Sequence, residues 1–146
     1  MPQFDYTFTV DAPLAAVSQF HSRTDILRKL TPPPIFVQIH DFGEMAEGMM
    51  ADFTMWFGPF PVRWNAEHVN VSEYGFSDIQ RRGLMAKWEH THRFTALTAD
   101  ETQIHEHIEY AYPTGWRGLV ARLLFNKPGL YALFTYRKLI TRWSLR

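Results

Sequence analysis

Phe4, Tyr6, Phe8 and Val10 alternate with Gln3, Asp5, Thr7 and Thr9, a period of two that predicts a half-buried strand at the start of the chain. Asp11-Ala12-Pro13 then opens a helix, with Asp11 or Ala12 near its cap and proline in the first turn, where its missing N–H is not needed. Leu14, Val17 and Phe20 form the buried stripe of that helix. A second short helix over residues 24–30 carries Ile26, Leu27 and Leu30. Thr31-Pro32-Pro33-Pro34 ends it, because each proline removes a helical hydrogen bond and clashes with the preceding turn.

From Ile35 to Tyr112 the pattern is strand after strand. Ile35, Val37 and Ile39 mark the first, and Gly43 and Gly48 bracket the turn that follows. Residues 50–57 and 62–72 form a hairpin across Gly58-Pro59-Phe60-Pro61. Counting across that loop puts Phe53, Met55 and Phe57 on one face with Val62, Trp64, Ala66 and His68, and Asp52, Thr54, Arg63, Asn65 and Glu67 on the other. Strands over 76–82, 87–96 and 102–112 follow, with turns at Tyr74-Gly75, Gly83 and Ala99-Asp100. Beyond Pro113 the spacing turns helical: Trp116, Leu119, Val120, Leu123 and Leu124, then Leu130, Leu133, Phe134, Leu139, Ile140 and Trp143. Pro128-Gly129 divides this stretch into a short helix and a main one from about residue 128.

The expected architecture is therefore α+β, in the order β, two short helices, six strands and a long helix. A sheet of about seven sequential antiparallel strands has one apolar face to cover, and a helix laid across it leaves room for an apolar cavity. At 146 residues a single domain, 1–146, with a substantial core is expected. An aromatic content of 16% suits a lined pocket as well as it suits a Phe-rich core.

The chain has no cysteine, which excludes disulfides, thiolate metal sites and thiol catalysis. The first residues lack the basic and apolar regions of a signal peptide, and no apolar run is long enough to span a bilayer, so a cytoplasmic location is expected. Net charge is zero but uneven: all fifteen acidic residues lie at or before Glu109, and seven basic residues follow Pro113. Lys and Arg late in a helix complement its dipole and keep an exposed face in water, while weak contact with anionic lipid is a second reading. Without a nucleic-acid motif, the basic end does not indicate RNA or DNA binding.

Trp88-x-His90-x-His92-x-Phe94 carries the densest chemistry. Period two places all four side chains on one face, and pairing across the Ala99-Asp100 turn brings Glu106, Ile108 and Tyr110 to it. Phe76, Asp78 and Gln80 alternate in step with that face, with a one-residue slip at the Tyr74 turn as the alternative, whereas His105, His107 and Glu109 point outward. Three readings are open for the inward polar groups His68, Asp78, Gln80, His90, His92 and Glu106. They form a satisfied buried network, they orient a ligand's polar head, or they perform acid/base chemistry with His90 or His92 partnered by Glu106 or Asp78. His90 and His92 with a neighbouring carboxylate also have the donor types of a facial metal site. No further His or Glu follows at metalloenzyme spacing, so neither a metal nor another cofactor is expected. Phosphate-loop, serine-nucleophile and zinc-protease motifs are absent from the sequence.

The element order resembles the START-like, or SRPBCC, helix-grip superfamily. Leu30-Thr31-Pro32-Pro33, Phe76-x-Asp78-x-Gln80-x-x-Gly83 and Trp88-x-His90-x-His92-x-Phe94 are similar to its bacterial polyketide cyclase/dehydrase-like subgroup, across nearly the whole chain. The resemblance implies a deep apolar tunnel between the sheet and the C-terminal helix, used for lipids, sterols, polyketides or plant hormones. It supplies no universal catalytic set. The chain departs from the pattern at Asn126-Lys127-Pro128-Gly129, where an unbroken helix is expected. The expected function is binding of a small hydrophobic ligand by a carrier or sensor, with a cyclase- or aromatase-type enzyme as the alternative.

Overall fold

A computed structural model describes residues 2–23, 25–41 and 45–146. The order is β1 (Gln3–Val10), α1 (Leu14–Phe20), α2 (Ile26–Lys29), β2 (Phe36–Asp41), β3 (Met50–Phe57), β4 (Phe60–Ser72), β5 (Gly75–Arg82), β6 (Lys87–Thr98), β7 (Glu101–Ala111), α3 (Gly115–Leu124) and α4 (Lys127–Ser144). Strands β2 to β7 run as a meander, and β1 adds beside β7, giving the antiparallel order β1-β7-β6-β5-β4-β3-β2. Helices α1 and α2 thus carry the chain from one edge of the sheet to the other. Pro13, rather than Asp11 or Ala12, occupies the N-cap of α1. The expected start of α2 at Thr24, and the turn residue Gly43, lie outside the described residues.

The β3–β4 hairpin is tighter than its sequence suggests. Phe57 pairs with Phe60, so the loop is Gly58-Pro59 alone, and Gly58 takes a φ of 65° that its missing Cβ permits. The face assignment survives because the loop shortens by two residues, Phe60 and Pro61 joining β4, and a shift of two preserves parity. Phe53 lies opposite Trp64, and Met55 opposite Val62.

Asn126 explains the break before α4. Its Oδ1 accepts from the Gly129 amide at 2.8 Å and caps α4, while its Nδ2 donates to the Leu123 carbonyl at 3.0 Å at the end of α3. One side chain thereby serves two helix ends that would otherwise carry unpaired backbone groups. Helix α4 then crosses the inner face. Phe134 packs on Phe4 with ring centroids 5.4 Å apart, and Tyr6 Oη lies 3.1 Å from Thr135 Oγ1. Leu130 and Phe134 are each 1% exposed, so this stripe is the centre of the core.

Candidate functional site

Strands β5, β6 and β7 bring Asp78, His90, His92 and Glu106 together beneath α4. Asp78 pairs with His90 and Glu106 with His92 across the sheet, so parity alone puts the four side chains on one face. Gly75 lets β5 approach: a Cβ there would lie 1.9 Å from the His92 carbonyl oxygen, and its φ of 136° is unsuited to an L side chain.

The two imidazoles stack with centroids 3.8 Å apart, and both carboxylates bracket the pair. His90 Nε2 donates to Glu106 Oε2 at 2.6 Å, and His92 Nε2 donates to Asp78 Oδ2 at 3.0 Å. His92 Nδ1 lies 2.8 Å from the same Glu106 oxygen but out of hydrogen-bond alignment. Phe76 stacks on the other side of His92 at 4.2 Å, and Phe134 meets His90 edge-on at 5.4 Å. His90, His92 and Glu106 are buried, and Asp78 is partly so.

Its members are driven to different charge states. Burial disfavours a charged His92, but Glu106 and Asp78 outweigh it and push the pKa up to about 9. His90 moves the other way, because burial and the charge on His92 both oppose its protonation. Burial would raise Glu106, yet the two histidines hold it well below the usual carboxylate range. Asp78 is lowered for the same reason. At neutral pH the site thus contains a neutral imidazole beside an imidazolium, with two carboxylates.

A cavity of about 140 Å³ opens above this floor. Its wall includes Phe53, Met55, Trp64, His68, Phe76, Trp88, Leu133 and Phe134. A drug-sized ligand takes roughly 300–1,000 Å³, whereas a void of about 150 Å³ holds one benzene. The deep tunnel implied by the family resemblance is here a one-ring cavity. Phe125 narrows it, packing 5.6 Å from both Trp64 and Trp88.

Not every expected site residue reaches the cavity. Phe57 instead lines an outer groove beside α3, and Gln80 turns away to bind the Met85 amide and carbonyl, bracing the β5–β6 turn. Phe94 is buried in a second cluster with Phe8, Val17 and Ile104. Ile108 and Tyr110 lie in the main core, 0% and 1% exposed, and Glu106 acts from beneath the histidines.

Two polar residues of the cavity come from helices. His21, at the end of α1, donates from Nδ1 to the Val17 carbonyl at 2.8 Å, and burial lowers its pKa to about 4, so it is neutral. Arg137 of α4 donates from Nε to the Leu30 carbonyl at 3.1 Å and is lowered by burial, against the pull of Glu106 and Asp78. The expectation that the basic C-terminal residues simply solubilise an exposed face is therefore corrected at Arg137, which lines the cavity. The signals were spacing: His21 follows Val17 by four, and Arg137 follows Phe134 by three.

Asp78, His90 and His92 also place possible metal-donor atoms within 4.8 Å of one another. A metal would have to displace the proton on His92, which the two carboxylates hold firmly.

A seven-stranded antiparallel sheet with a long C-terminal helix across its inner face is the START-like helix-grip fold, and solved structures agree. The Zhui aromatase/cyclase from Streptomyces sp. R1128 superposes with a TM-score of 0.69 at 13% identity, covering 99% of this chain and 90% of that one. A START superfamily protein from Mycobacterium smegmatis gives 0.70 at 12% identity, covering 98% and 96%. Norcoclaurine synthase from Thalictrum flavum gives 0.66 at 18%, covering 96% and 86%. No family model and no curated protein sequence matches the chain. The chain thus has the START-like helix-grip fold. Among the described residues, no helix is long and apolar enough to cross a membrane.

Proposed function

We propose that this chain is a single ligand-binding domain that holds a small molecule with one aromatic ring, or an aliphatic body of that size, in the cavity beneath α4. The observation that carries this reading is the contrast within the cavity: an aromatic and aliphatic wall ends on one charged floor, His90–His92–Asp78–Glu106, with Arg137 at its side. An apolar body is favoured by burial, and a carbonyl or hydroxyl head by the polar end. The two carboxylates are balanced by the His92 imidazolium and Arg137, so the floor carries no net charge and suits a neutral polar head. A carrier or sensor role fits a floor whose groups largely satisfy one another.

One observation favours a second reading, an aromatase- or cyclase-type enzyme. His90 and His92 are pushed in opposite directions, so a neutral base and a charged acid coexist at one pH. Native mass spectrometry of the purified protein tests binding: a bound species containing a single ring is expected. A filled cavity that accepts no small aromatic would refute the proposal. Conversion of an added enolisable aromatic precursor, lost in both His90→Gln and His92→Gln, would favour the enzyme.

A further inference from the structure

Helix α3 is amphipathic in the wrong direction for a soluble domain. Its buried residues are the small Gly118 and Ala121, while Trp116, Leu119 and Leu123 are 72%, 71% and 75% exposed. At about 100° per residue, Trp116, Leu119, Val120 and Leu123 share one stripe roughly 100° wide. Arg117 and Arg122 flank it on either side. Phe60, 69% exposed at the tip of the β3–β4 hairpin, stands across an open groove from this helix, and Arg63 and Arg82 line the same groove. Among the described residues of that groove, Asp52 is the single carboxylate, and Arg63 neutralises it with two bonds of 2.7 Å.

We propose that α3 and the hairpin tip dock on an anionic membrane surface, α3 lying in the interface with Leu119 and Leu123 among the acyl chains and Trp116 at the headgroup level. A basic rim around a protruding apolar stripe is the chemistry of an interfacial helix, and Trp prefers the headgroup level. Scattered exposed apolar residues need no explanation, but a contiguous stripe of this kind does. The charge also selects the occupant. A second copy docked on this face by a two-fold axis would gather Arg63, Arg82, Arg117 and Arg122 of both copies, while Asp52, the single carboxylate among the described residues of the groove, is already paired with Arg63. An anionic lipid surface meets every one of those charges favourably.

Flotation with vesicles of phosphatidylcholine containing 30% phosphatidylglycerol tests this. The wild type should float with them and at least tenfold less with pure phosphatidylcholine, or in about 0.5 M salt, where surface attraction is screened. Leu119→Glu/Leu123→Glu should abolish flotation, and Arg117→Gln/Arg122→Gln should weaken it at least fivefold. Trp116→Phe should remove the blue shift in emission seen on adding vesicles. All these side chains are exposed, so unchanged circular dichroism and melting temperature confirm that each variant is folded. Failure of the wild type to float, flotation undiminished in Leu119→Glu/Leu123→Glu, or a wild-type dimer that this double variant dissociates would each overturn the proposal. Cavity binding is read separately and does not depend on this result.

Discussion

Replacing Glu106 by glutamine keeps the side chain's shape and removes a charge shared by two imidazoles. Glu106 is 4% exposed, and its Oε2 lies 2.6 Å from His90 Nε2 and 2.8 Å from His92 Nδ1. Removing one partner of a buried ion pair costs roughly 3–5 kcal/mol. The elevation of His92 from 6.5 to about 9 sets a similar scale, about 3 kcal/mol at about 1.4 kcal/mol per pH unit. Asp78 supports part of that elevation and remains in the variant, so a loss of about 2–4 kcal/mol at pH 7 is expected. The pH dependence has a definite sign. A raised histidine contributes fully below its ordinary value of 6.5 and loses that contribution as pH climbs to about 9. The depressed carboxylates contribute above their ordinary range, and their contribution disappears as pH falls through their lowered values. Burial of neutral His21 and His90 adds to the acid-side loss, because the unfolded chain protonates them first. Urea unfolding from pH 5 to 9.5 should therefore show greatest stability near pH 6.5 in the wild type. The decline between pH 6.5 and 9 should flatten in Glu106→Gln. A destabilisation under about 1 kcal/mol with an unchanged alkaline slope would refute the charge assignment.

Phe53→Ala should cost about 3–5 kcal/mol and enlarge the void, and equilibrium unfolding combined with probe binding should show weaker stability but acceptance of a larger ring. Elemental analysis after growth with zinc, iron and nickel should find below about a tenth of an atom per chain at His90/His92, because metal must displace a firmly held proton; stoichiometric metal lost in His92→Ala would contradict this. Arg137→Met removes the bond that ties α4 to the Leu30 carbonyl, and hydrogen exchange should show faster opening of α2 while the sheet stays protected. His90→Gln and His92→Gln should shift ligand affinity severalfold without any turnover appearing in the wild type; a loss of turnover of about a hundredfold at unchanged affinity would establish catalysis instead.

The inner face of the sheet was readable because a strand's side-chain period is two. With the turns at Gly83 and Ala99-Asp100 placed and no one-residue slip in β5, Asp78, His90, His92 and Glu106 share a face, and the observed register has them so. Even the misjudged β3–β4 loop left Phe53 and Trp64 opposed, since parity was conserved. Side chains delivered by helices were harder to place. Local spacing shows that Arg137 continues the stripe of Leu130 and Phe134, but not which part of the sheet that stripe meets, so its charge suggested solvent. Gln80 illustrates the opposite failure: it has the right parity, yet the adjoining turn captures its amide at Met85. Cavity size was not legible at all. It depends on how closely Phe125 approaches Trp64 and Trp88, and Phe134 approaches His90, a matter of tertiary packing rather than pattern.

Calorimetric titration with p-cresol, one ring bearing one hydroxyl, asks whether the cavity beneath α4 holds a single ring. Ala66 is 3% exposed and lines the cavity, so Ala66→Leu fills the space that the ring would occupy. Eight heavy atoms at about 0.7 kcal/mol each imply a Kd of about 100 μM for the wild type. Binding near that affinity is expected in the wild type, and its loss in a folded Ala66→Leu variant. No heat of binding up to 10-fold above that concentration, or equal binding by both proteins, would contradict this expectation.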